Sequence, residues 1–114
     1  MLTIESLRAY GANTEEGLAR CLNNEAFYLR LVRMGAQDRN FMLLEEALDG
    51  GNTKAAFEAA HALKGVMANL SLTPILEPVA KITELLRHEA DAEYLPYRTL
   101  IRERKEELIR LIES

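Results

Sequence analysis

Thr53-Lys54-Ala55-Ala56-Phe57-Glu58-Ala59-Ala60-His61-Ala62-Leu63-Lys64-Gly65-Val66-Met67-Ala68-Asn69-Leu70 is the stretch whose reading decides the fold. Helix formers dominate it, no proline interrupts it, and Asn52 stands before it as a capping residue. Successive helical residues turn by about 100°. With His61 at zero, Leu63 falls near ~200°, Val66 near ~140°, Met67 near ~240° and Leu70 near ~180°. Ala56, Ala59 and Ala60 fall on the same far side. These residues form a buried stripe, and His61 points away from it.

The pattern extends to both sides. Pro74 or Pro78 lies at the start of a further helix that reaches about Glu89, since proline is tolerated in a first turn. A last helix runs from about Pro96 to Ile112, with Leu100, Ile101, Leu108, Ile109 and Leu111 as apolar positions. Upstream, Gly50-Gly51 closes a long helix that starts at Asn24 and ends near Leu48. Its stripe includes Phe27, Leu31, Met34, Phe41, Leu44 and Leu48; Gly35 and Asp38 weaken it and mark a site for a bend or break. Two short pieces precede it, Thr3 to Ala9 before Gly11, and Asn13-Thr14 to Cys21. That makes six helical pieces, with no alternating strand pattern. Short connections force neighbouring helices to run antiparallel. The expectation is an all-α chain: one domain over residues 1–114, an antiparallel up-down four-helix bundle with one or two short N-terminal helices.

Composition narrows the function classes. The 114 residues are 48% hydrophobic, enough for one core without disulfides or metals. The net charge of −4 argues against general affinity for nucleic acid or an anionic membrane. Cys21 is the one cysteine, so no internal disulfide forms, and it reads as a small buried hydrophobe. The first residues carry no secretory pattern and no run of about 18 apolar residues occurs, which predicts a cytoplasmic setting with no membrane contact.

The face that carries His61 is unusual. Lys64 lies about 60° to one side of it and Gly65 about 40° to the other, and Ala68 and Phe57 are within about 40°. Lys54 stands two turns earlier. Glycine inside a helix costs roughly 1 kcal/mol relative to alanine, and a bundle surface has no structural need for it. Its absence of side chain lets a foreign surface approach the backbone beside His61, and Ala68 extends the low patch. A neutral imidazole keeps a lone pair that can attack an activated phosphorus. A nearby cation stabilises the charge on the transferred oxygens, and Lys64 has the reach.

His61-Ala62-Leu63-Lys64-Gly65, followed by Ala68-Asn69-Leu70, resembles the H-x-L-K-G signature of histidine-containing phosphotransfer (HPt) domains. Gly17-Leu18-Ala19-Arg20, Phe27-Tyr28-Leu29 and the alanine-rich lead into His61 agree with it. The resemblance implies a four-helix bundle in which His61 accepts a phosphoryl group from a receiver-domain aspartate and gives it to a second receiver. The implied partners are response-regulator receivers and a hybrid sensor kinase. In the family Mg²⁺ and most of the catalysis belong to the receiver, so no cofactor or metal of its own is expected here. Lys64 corresponds to the phosphate-stabilising lysine and Gly65 to the residue that clears space, with Ala68, Phe57 and Lys54 as docking positions. Two positions depart from the pattern: Ser71 stands where glycine is usual, and Val66 where a small polar residue is common.

Other features have plain readings. His88 suits a helix C-terminus. The charged run from Arg102 to Glu107 reads as a solvated face, and Met34, Met42 and Met67 read as core filler. Phe57 is open to two readings, partner contact or packing against a neighbouring helix. Three competing functions remain: a bundle that binds a receiver without taking phosphate, an autonomous kinase or phosphatase, and an excised segment of a hybrid or chemotaxis-type kinase. The enzyme reading lacks a Gly-rich phosphate loop and a carboxylate cluster.

Overall fold

Capping side chains set most of the helix boundaries in the computed structural model, which describes residues 1–88 and 93–114. Thr3 accepts from the Ser6 N–H and opens α1 (Ile4–Tyr10). Asn13 opens α2 (Thr14–Arg20) and Asn24 opens α3 (Glu25–Ala36) in the same way. Asp38 accepts from the Asn40 N–H at 2.8 Å as α4 (Asn40–Asp49) begins. Asn52 accepts from Ala55 and opens α5 (Thr53–Asn69). Prolines stand in the first turns of α6 (Thr73–Arg87) and α7 (Leu95–Glu113), where a missing N–H breaks no helical bond. The described residues thus hold seven helices and no strand.

Two expectations are corrected. The long helix expected from Asn24 to Leu48 is two helices, separated at residues 37–39. Asp38, whose carboxylate accepts from the Asn40 N–H, starts the second helix, and Gly35, where an added Cβ would strike Leu70 Cδ1, lies just ahead of the break. The α3 backbone approaches α5 there and the chain then turns. The start of α6 is as expected, with Pro74 in its first turn, and Pro78 lies buried inside the helix. The expected end at Glu89 lies outside the described residues. Second, Phe27, Met34, Met42 and Leu100 face solvent. α3 turns Tyr28, Val32, Gly35 and Ala36 inward, which rotates Phe27 and Met34 outward. α4 buries Phe41, Leu44 and Ala47, leaving Met42 beside the stripe.

Packing runs mainly in chain order. α4 lies on α5, α5 on α6 and α6 on α7, while α3 also touches α7. The buried apolar residues form one cluster, from Leu2 and Leu7 through Tyr28 and Val32 to Leu63, Met67, Ile82 and Leu108. Cys21 is free and buried in it. Ion pairs tie α7 to α4, with Arg98 Nη1 at 2.6 Å from Asp49 Oδ1 and Arg102 paired with Glu45. α5 sits between α4 and α6, leaving a single strip of its surface in solvent.

Candidate functional site

That strip carries His61. α5 buries Ala56, Ala59, Ala60, Leu63 and Met67, the set that the helical spacing assigns to the interior. His61 and Ala62 are exposed, as are Lys54 and Gly65; Phe57, Lys64 and Ala68 are half-buried. All six residues expected at the site therefore share one helix and one side of it.

The glycines separate into two kinds when each is given a Cβ. At Gly17 that atom would lie 2.5 Å from the Tyr28 ring, and at Gly35 it would strike Leu70. Both glycines exist because another element occupies the space. At Gly65 the added Cβ meets nothing within 4 Å. Nothing inside the described molecule needs that position to be small, so the helix carries the propensity cost without an internal return.

Lys64 stands one turn beyond His61. Among the described residues it forms no ion pair, so its ammonium group is available to an incoming anion. Phe57, one turn before, stacks on the imidazole with ring centroids 5.6 Å apart and planes at 14°. The Arg87 guanidinium of α6 lies 5.2 Å from the same phenyl centroid. The aromatic contact and its link to α6 escaped the sequence reading, because sequence alone does not reveal which α6 side chain reaches α5. Of the two readings of Phe57, packing toward the neighbouring helix is visible in this contact.

The far end of α5 is clamped. Ser71 adopts a left-handed backbone with φ 56°, the conformation that glycine takes at low cost. Glycine suits such a backbone; here serine adopts it, and its hydroxyl joins a hydrogen-bond network. Arg20 Nη1 donates to Ser71 Oγ at 2.7 Å, Ser71 Oγ donates to Glu16 Oε1 at 3.2 Å, and Arg20 Nη2 donates to the same carboxylate at 2.6 Å. The hydrogen bonds from Arg20 and then Ser71 hold the Glu16 carboxyl below its ordinary value. Tyr28 Oη donates to the Leu70 carbonyl at 2.8 Å, and burial pushes its phenol up to about 12. Val66, the other departure, faces α3: its Cγ1 would be 3.7 Å from a Cβ on Gly35.

Other candidates lie elsewhere. His88 is exposed at the end of α6, with Nε2 3.5 Å from Glu84 Oε2. Among the described residues no group of three or more His, Cys, Asp or Glu could hold a metal ion, and no helix is long and apolar enough to cross a membrane. A groove of about 580 Å³ between α4 and α7 is lined by Phe41, Leu44, Arg98 and Ile101 among others, and none of the six site residues enters it.

Among the described residues every element is a helix, and one helix carries an exposed histidine, a neighbouring lysine and an open glycine. The particular family is the Hpt domain: its family model matches residues 36–113, from the end of α3 through α7, and the chain is a member. The chain matches no curated protein and no solved structure. Membership places it in two-component phosphorelay signalling and histidine phosphotransfer.

Proposed function

We propose that His61 is the phosphoacceptor and that the chain shuttles a phosphoryl group between receiver aspartates. The observation that supports this most is the exposed imidazole beside a glycine that no internal contact requires. In the forward step a ring nitrogen attacks the phosphorus of a receiver's aspartyl phosphate. An N–P bond forms, the acyl O–P bond breaks, and the aspartate carboxylate leaves with the electron pair. Lys64 balances charge on the equatorial oxygens. In the return step an aspartate of a second receiver attacks the same phosphorus and the imidazole leaves. The receiver supplies Mg²⁺, and this chain contributes nucleophile, cation and a surface low enough for contact.

Gly65 and Ala68 form the centre of the docking ground, with Lys54 at its margin. α4 to α7 are read as the up-down four-helix bundle. α1 to α3 belong to the same unit over residues 1–114, since Leu2, Leu7, Tyr28 and Val32 share its core. A cytoplasmic setting follows from the partners, a hybrid sensor kinase and response-regulator receivers. The test is transfer profiling: the protein is mixed with each phosphorylated receiver of its cell. A small number of fast pairs is expected, and ATP with Mg²⁺ alone should leave the chain unlabelled. Labelling from ATP alone would replace the carrier reading with an enzyme.

A further inference from the structure

His61 is restrained by more than its own backbone. A histidine on an exposed helix face ordinarily samples several rotamers, and each must be ordered before an in-line attack. Here one face of the choice is narrowed. The Phe57 ring lies nearly parallel to the imidazole, 5.6 Å away by centroids, within the range of a favourable aromatic pair. Phe57 is itself half-buried and packed on the core cluster. Arg87 reaches over from α6 with its guanidinium 5.2 Å from the phenyl centroid, and Arg87 Nε lies 3.2 Å from Glu84 Oε1 one turn earlier. A chain of contacts thus runs from α6 through Phe57 to the imidazole.

We propose that Phe57 is a positioning residue for phosphoryl transfer: its stack on His61 holds the imidazole in one orientation before the receiver docks, and Arg87 secures Phe57 from α6. The proposal rests on His61 as phosphoacceptor. Phe57 makes no bond to the phosphoryl group. Its effect is to present the attacking nitrogen ready-aimed, so it acts on the rate at saturation and not on how tightly the receiver binds. A mere docking contact would do the reverse.

Phe57→Leu keeps apolar bulk and removes the ring; Phe57→Tyr keeps the ring. Four quantities are measured for each: receiver affinity, the single-turnover transfer constant at saturating phosphorylated receiver, the NMR shifts of the His61 ring protons, and the thermal midpoint. Phe57→Leu is expected to slow saturated transfer by about three- to tenfold, the size of one aromatic pair, with affinity unchanged within about twofold. The His61 protons lose their ring-current shift. Phe57→Tyr restores rate and shift together, and Arg87→Gln gives a smaller loss of the same kind. Three results overturn the proposal: saturated transfer at the wild-type rate in Phe57→Leu, a Tyr variant as slow as the Leu variant, or a loss confined to affinity. If Phe57→Leu does not fold, the Tyr and Arg87→Gln rates decide on the same terms. A His61→Gln control separates the two levels. Label that persists in it removes the phosphoacceptor reading, whereas an unlabelled control beside a fully active Phe57→Leu removes only the positioning role.

Discussion

Replacing Gly65 by alanine should make this protein more stable and less able to transfer phosphate. The backbone at Gly65 is helical, and an added Cβ has no heavy atom within 4 Å. The substitution therefore meets no internal clash and recovers the helix propensity that glycine forgoes, about 1 kcal/mol. For a domain of this size that corresponds to a rise of roughly 3–6 °C in thermal midpoint. The same methyl group intrudes on any surface seated beside His61. If a receiver packs there as closely as a protein core, overfilling costs about 1–3 kcal/mol in the docked state, or roughly five- to 150-fold in transfer efficiency. Gly65→Gln should be worse for transfer with little further change in stability. Thermal denaturation followed by circular dichroism, paired with transfer from a phosphorylated receiver, reads both quantities on one preparation. A lower midpoint would mean that the glycine serves the fold. A Gln variant that transfers like wild type would mean that no partner approaches this face.

Gly17→Ala should act in the opposite sense. Its Cβ would be 2.5 Å from the Tyr28 ring, so we expect a loss of about 1–3 kcal/mol by denaturant titration. Tyr28→Phe removes the hydrogen bond to the buried Leu70 carbonyl and should destabilise by about 1–2 kcal/mol in the same titration, with transfer affected only through stability. The acid limb of stability should trace to Glu16 and Asp49. Hydrogen bonds from Arg20 and Ser71 lower the first, and one from Arg98 lowers the second. Carboxylates depressed on folding contribute fully above their ordinary values of 4.5 and 3.8, and the contribution disappears as pH falls through the lower folded values. Thermal midpoints recorded against pH should fall along a flatter acid limb in Glu16→Gln and Asp49→Asn than in wild type; identical limbs would remove these two groups from the account.

Helix α5 was legible because one periodicity does two jobs. Its alanines, Leu63 and Met67 had to go inward together, and that left His61, Gly65 and Lys54 outward without any tertiary information. The prolines and asparagines marked helix starts for a local reason, since caps and first turns are chosen by neighbouring backbone groups. What failed was set by approach between elements. Nothing local says that α3 comes close enough to α5 to need Gly35 small, so the break at residues 37–39 was only a weak place in the pattern. Phe27, Met34 and Met42 read as inward because each is apolar, yet the rotation of α3 and α4 is decided by which apolar face fits the neighbours. Ser71 stood out in the sequence only as a departure from the family pattern; its left-handed backbone shows only in the structure, and the Arg20–Glu16 contacts that serve it come from residues some fifty positions away in sequence. The Arg87–Phe57–His61 contact likewise joins positions that only α5–α6 packing brings together.

The most direct test of the central claim is the site of the label. Wild type and His61→Gln are each exposed to a phosphorylated receiver that transfers to wild type, and the product is assayed for phosphate that is lost in acid and kept in base. Wild type should carry such a phosphate on His61, and His61→Gln should carry none while giving the same circular dichroism and thermal midpoint. A folded His61→Gln protein labelled to the wild-type level would contradict the account.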